Sequence, residues 1–198
     1  MSERIFVAST NDGKRAEFAA LLAEHGIELG PSVPYPDVEE DADDYLGNAA
    51  LKAAALREEL LRRGIAATLF ADDSGLEIDA LDGAPGIRSA RYGGLELSWS
   101  QRRAQLLAAL SAVPAERRTA RFCCALLAID EGGRRFEGFG TTRGSIAFAE
   151  RGTAGFGYDP LFLPEGETRT FAEMSAAEKA RSSHRARALR ALVAAMRG

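Results

Sequence analysis

Lysine is scarce in this chain: of 25 lysines and arginines together, only Lys14, Lys52 and Lys179 are lysines. Arginine presents a planar fork and lysine a compact point charge, so a site shaped around one ammonium rejects a guanidinium. Each lysine is therefore a candidate marker of a small anion site. Cysteine is scarcer still. Cys123 and Cys124 are adjacent in a predicted strand, where neighbours point to opposite faces, which excludes a disulfide framework or a zinc site and predicts buried, reduced thiols. No apolar run reaches the roughly 18 residues of a membrane span. Residues 5–8 start an apolar strand with no signal-peptide core before them, so a soluble, cytoplasmic protein is expected. A basic surface is also lacking. The net charge is −4 with arginines and acids interspersed, which excludes binding driven by nucleic-acid phosphates but not a local pocket for a small polyphosphate. With no repeat, linker or low-complexity tract, residues 1–198 are expected to form a single domain.

What is present reads as α/β. A strand over 5–9 leads through Thr10, Asn11, Asp12 and Gly13 into a helix with Phe18, Leu21 and Leu22 on one stripe. A second helix is predicted over 45–63. An apolar strand over 65–71 then delivers the chain to a turn at Asp72, Asp73, Ser74 and Gly75. A helix over 100–110, an apolar strand over 121–129 and a return strand over 134–140 follow, so the sheet is expected to be mixed. Ser175 and Glu178 fit a capping box, and Ser182 or Ser183 can cap the last helix.

Five segments carry groups suited to chemistry. In the first, Ser9, Thr10, Asn11, Asp12, Gly13 and Lys14 place hydroxyls, an amide and an ammonium at a helix start, which suits a phosphate or an ordinary Asn-capped turn. Lys52 follows Asn48 by one helical turn, downstream of an acidic stretch containing Asp37, Glu39, Glu40, Asp41, Asp43 and Asp44. Asp72 and Asp73 repel each other unless a cation or hydrogen bonds compensate, and their hard oxygens suit Mg²⁺. Strand alternation implies that only one is a direct ligand. Phe156, Gly157, Tyr158 and Asp159 offer rings and a carboxylate to a flat base, or equally a turn packed into the core. Lys179, His184 and Arg185 gather cationic groups around the gap between two helices.

In order and spacing, STNDGK at 9–14, NAALKA at 48–53, FADDSGLEIDALDGAPGIRSARY at 70–92, GFGYDPLF at 155–162 and EKARSSHR at 178–185 resemble the inosine/xanthosine triphosphate pyrophosphatase family. All three lysines fall within these motifs. The resemblance implies an elongated, two-lobed mixed α/β fold with a central cleft, a homodimer, and Mg²⁺-dependent hydrolysis of ITP, dITP or XTP to monophosphate and pyrophosphate. By matching position, Asp73 is implied as general base and metal-associated carboxylate, with Asp72 a further metal candidate. Residues 9–14, Lys52 and Ser74 would touch the phosphates or substrate. Phe156, Gly157, Tyr158, Asp159, Lys179, His184 and Arg185 would form the base side. Where the family usually carries Glu before the Asn of its second motif, this chain has Gly47, which leaves the second metal ligand open among water, Asp72 and the acids at 39–44. Gly47→Glu is expected to restore a ligand and to stabilise the helix by up to about 1 kcal/mol. The rival readings are a related pyrophosphatase of the septum-formation-inhibitor type and a non-catalytic nucleotide sensor.

Overall fold

The computed structural model describes residues 3–198. Six strands, β1 (Glu3–Ala8), β2 (Ile27–Leu29), β3 (Leu69–Ile78), β4 (Thr119–Ile129), β5 (Arg135–Ile146) and β6 (Phe162–Pro164), form one sheet in the order β2-β1-β3-β4-β5-β6. The sheet is mixed, as expected: β1 runs parallel to β2 and β3, whereas β5 and β6 are antiparallel. Among the described residues, five α-helices accompany it: α1 (Asp12–Ala23), α2 (Tyr45–Arg62), α3 (Trp99–Ala109), α4 (Ala176–Ser182) and α5 (His184–Arg197). No described helix is long and apolar enough to cross a membrane.

Packing divides the chain into two compact units. The first comprises the chain through Asp73 together with Cys124–Gly140 and His184–Gly198. Its core joins Phe6 and Ala8 of β1, Leu69 and Ala71 of β3 and Leu127 and Ile129 of β4 to the Ala49, Ala53, Leu56 and Leu60 stripe of α2. That stripe recurs at three- and four-residue steps, which is why α2 is legible from sequence. On β5 a Cβ added at Gly138 would lie 2.4 Å from Ala188 O, and one at Gly140 would lie 2.1 Å from His184 O. These glycines let α5 approach the strand backbone directly.

The second unit comprises Ser74–Cys123 and Thr141–Ser183. Its core surrounds Phe122, Phe162 and Phe171, with ring centroids 4.6 Å apart for Phe122 and Phe162 and 5.2 Å for Phe162 and Phe171. Arg102 of α3 is buried and donates to four carbonyls, those of Tyr92, Gly94, Leu95 and Leu97, at 2.8 to 3.1 Å, binding the preceding loop to its helix.

The structure corrects several expected boundaries. The largest correction is at β3, which begins at Leu69 and continues through Asp72, Asp73, Ser74 and Gly75 to Ile78. The expected turn there does not form. Leu76 and Ile78 are fully buried beyond the acids, so the apolar pattern of the strand resumes after them. β2 and β6, three residues each, were not predicted, and β5 extends well past Gly140. Both cysteines are free; Cys124 is buried and its thiol pKa pushed up by that burial, whereas Cys123 is only half-buried.

Candidate active site

Two adjacent carboxylates in an interior strand need separate partners, because burying a charge without compensation is costly. Alternation along β3 supplies them: Asp72 meets groups from α1 and α5, and Asp73 meets groups from α2. Asp72 is 1% exposed, and its Oδ2 lies 2.8 Å from Lys14 Nζ and 3.9 Å from Arg185 Nε. Arg185 Nη1 in turn lies 3.2 Å from Glu17 Oε2. Burial pushes Asp72 towards the protonated form, but Lys14, Lys52 and Arg185 together outweigh it and hold the carboxyl at about 2.

Asp73 is placed differently. Its Oδ2 accepts the Asn48 side-chain amide at 3.0 Å, and its Oδ1 lies 3.8 Å from Lys52 Nζ. Lys52 sits closer to Glu40, at 2.8 Å from Oε1. Burial raises the Asp73 pKa against the opposing pull of Lys52 and the Asn48 hydrogen bond, with Glu40 adding to the rise. For Lys52 burial acts downwards, yet Asp72, Asp73 and Glu40 outweigh it and keep the ammonium charged. The neighbouring Asp72 and Asp73 are thus shifted in opposite directions, one held below and the other raised above the ordinary carboxylate value.

Residues 9–14 follow β1 and open α1. Asn11 is the N-cap, its side-chain oxygen accepting the Lys14 N–H at 2.9 Å, and Ser9 Oγ accepts the Asn11 N–H at 3.3 Å. The capped turn and the lysine site therefore coexist: Asn11 shapes the helix start that presents Lys14 to Asp72, with Thr10, Asp12 and Gly13 in the same turn.

In the second unit, Asp159 Oδ2 accepts both the Phe156 N–H, at 2.9 Å, and Lys179 Nζ, at 2.7 Å. Lys179 lies 5.0 Å above the Phe156 ring and 5.4 Å from the Phe171 ring. Phe156 is half-buried. Tyr158 instead belongs to the core, edge-on to Trp99, with its hydroxyl donating to Ser89 O at 3.2 Å and its pKa pushed up to about 12 by burial. The two rings of this segment thus serve different surroundings. Ser74 follows Asp73 on β3, half-buried, while Ser183 and His184 are buried at the junction of α4 and α5.

Some groups were not singled out by the sequence. Glu17 lies one helical turn after Lys14, a spacing that signals a shared face. Glu40 was one of several equivalent acids until the fold paired it with Lys52. Gly47 has a steric reason: a Cβ there would lie 2.7 Å from Ala42 Cβ and 3.3 Å from the helix-capping Asp44 Oδ1. This close approach opposes the expected gain in stability from Gly47→Glu. Among the described residues, no group of three or more His, Cys, Asp or Glu could hold a metal ion. Asp73 and Glu40 nevertheless offer hard oxygens to one cation, since the Lys52 ammonium already lies beside both.

A mixed α/β sheet carrying two oppositely tuned carboxylates, each beside its own lysine, defines an α/β protein with a charged site suited to anionic ligands. The chain belongs to the Ham1 family, which residues 5–195 match. It is 44% identical to a dITP/XTP pyrophosphatase of Exiguobacterium sibiricum over 98% of this chain and 96% of that protein. It is also 44% identical to a dITP/XTP pyrophosphatase of Streptomyces coelicolor over 98% and 97% of the two. The Ham1 protein of Staphylococcus aureus has the same fold, with a TM-score of 0.81 at 34% identity and 99% of each chain covered.

Proposed function

We propose that this chain is a nucleoside-triphosphate pyrophosphatase that hydrolyses non-canonical purine nucleotides, ITP, dITP and XTP, to the monophosphate and pyrophosphate. The observation that carries this reading is Asp73, a carboxylate raised in pKa by burial and oriented through one oxygen by Asn48. A carboxylate with a raised pKa is a stronger base than an ordinary one and better matched to taking a proton from water. In this reading Asp73 accepts the proton as the water oxygen bonds to the α-phosphorus and the α–β anhydride bond breaks, with pyrophosphate leaving. Residues 9–14 bind the triphosphate, Lys14 and Lys52 offset its charge, and Ser74 contacts it beside Asp73. Phe156, Lys179, His184, Arg185 and the backbone of Gly157, Tyr158 and Asp159 recognise the base, since the Tyr158 ring is held in the core.

Asp73 and Glu40 would hold Mg²⁺ rather than Asp72, whose charge Lys14 and Arg185 balance. Mg²⁺ held by these carboxylates would supply positive charge that offsets part of the triphosphate's negative charge. The resemblance to the pyrophosphatases also supports a single catalytic domain acting as a cytoplasmic homodimer, which size-exclusion chromatography with light scattering checks.

Pyrophosphate release from ITP, dITP, XTP, GTP and ATP, with and without Mg²⁺, tests the assignment. N–H donors match a 6-keto oxygen but face an amine unpaired, a mismatch that corresponds to a preference of about 5- to 150-fold. ITP and XTP are therefore expected to exceed ATP in kcat/KM by that margin. Equal values for ITP and ATP, or no pyrophosphate from any of them, would overturn the reading.

A further inference from the structure

We propose that Arg103, braced by Glu150, is a positioning residue for the substrate's flat ring, acting through the backbone of residues 155–159; this rests on the function proposed above. Arg103 lies on α3 one turn after Trp99, so both side chains leave the same helix face. Both reach the same segment. Trp99 packs edge-on against Tyr158 with ring centroids 5.4 Å apart, and Arg103 Nη1 donates to Gly157 O at 2.9 Å. The other Arg103 terminal nitrogen, Nη2, lies 3.0 Å from Glu150 Oε2. The guanidinium is largely buried, and its Nε has no hydrogen-bond partner among the described residues. A buried donor left unmatched calls for a reason to keep an arginine there.

The segment that Arg103 grips is glycine-rich and has little rigidity of its own. Gly155 and Gly157 adopt φ of +74° and +64°, a region that favours glycine, and a Cβ at Gly155 would lie 2.1 Å from Asp159 Oδ2. Asp159 and Lys179 tie one side of the loop through the Phe156 N–H. Arg103 ties the next residue through the Gly157 carbonyl. In a trans peptide the C=O and N–H point oppositely, so fixing Gly157 O fixes the direction of the Tyr158 N–H. A charge-assisted hydrogen bond to the carbonyl also polarises that peptide and strengthens its N–H as a donor. Arg103 thereby sets the orientation and strength of a backbone donor in the segment assigned to the base, without touching substrate itself.

The test compares wild type with Arg103→Leu, Arg103→Lys and Glu150→Gln. The readouts are KM and kcat for ITP and ATP, and the inhibition constant of inorganic tripolyphosphate, which has no base. Arg103→Leu is expected to raise KM for ITP about tenfold, to narrow the ITP-over-ATP preference, and to leave kcat and tripolyphosphate inhibition within about twofold of wild type. Arg103→Lys keeps the charge but cannot hold Gly157 and Glu150 in one plane, so a rise of about threefold is expected, and Glu150→Gln should shift KM in the same direction. Wild-type KM and selectivity in Arg103→Leu overturn the proposal, as does an equal loss of ITP and tripolyphosphate binding. If the Leu variant does not fold, Arg103→Lys decides: a wild-type KM overturns the proposal and a raised one supports it. A wild-type protein that releases no pyrophosphate from ITP overturns the functional reading and this one with it, whereas an active wild type with an unaffected Arg103→Leu overturns this one alone.

Discussion

Asn48 holds Asp73 by one oxygen and the acidic segment by another bond. Its amide donates to Asp73 Oδ2 at 3.0 Å, and its own Oδ1 accepts the Ala42 N–H at 3.0 Å. One fully buried side chain on α2 thus connects the strand that carries the carboxylate with the segment that carries Glu40. The remaining Asp73 oxygen faces Lys52.

Removing that connection should affect stability and turnover together. Asn48→Ala leaves Ala42 N–H and Asp73 Oδ2 without their partner, a loss of about 2 kcal/mol. Urea denaturation is expected to show a lower midpoint at unchanged slope. Activity should also fall, because Asp73 loses its orientation; an unchanged kcat would show that Asn48 is only structural.

Asp73→Asn should separate the two effects. The new amide oxygen can still accept from Asn48, so circular dichroism and the thermal midpoint are expected to change little. Loss of a general base lowers kcat by about 10²- to 10⁴-fold. A folded variant within tenfold of wild-type kcat would remove Asp73 from that role.

Gly47→Ala tests packing against helix propensity. In an open helix the change would stabilise by up to about 1 kcal/mol. Here the added methyl meets Ala42 Cβ at 2.7 Å, and overpacking of this kind costs about 1–3 kcal/mol. The net expectation is destabilisation by about 1 kcal/mol, seen as a thermal midpoint lower by about 2–4 °C. A higher midpoint would mean that Ala42 yields easily.

Asp72 predicts a pH dependence. Its folded-state pKa of about 2 lies below the ordinary 3.8, so the carboxylate's contribution to stability is complete above pH 3.8 and is lost as pH falls towards 2. The contribution is about 2 kcal/mol. Denaturation of metal-free protein at pH 4 and pH 2 should show wild type losing about that much more than Asp72→Asn. Equal losses would mean that Lys14 and Arg185 do not hold the carboxylate as an anion.

The amino-acid sequence by itself determined the local features: the apolar stripe of α2, the Ser175 cap of α4, the Asn11 turn before Lys14, and the opposite facing of Asp72 and Asp73. Each depends on residues within one helical turn or one strand repeat, where periodicity and capping chemistry operate. Tertiary structure decided the rest. β2 and β6 are too short to carry a pattern and exist through the ladders their neighbours offer. β3 carries two acids and a Gly through the interior, although the same residues read locally as a turn, because lysines from two helices compensate the charge. Glu40 was separated from the surrounding acids only by reaching Lys52, 12 positions away, and Arg103 meets Gly157 across 54. Such partners are chosen by packing between distant segments, and burial then gives each charge its strength.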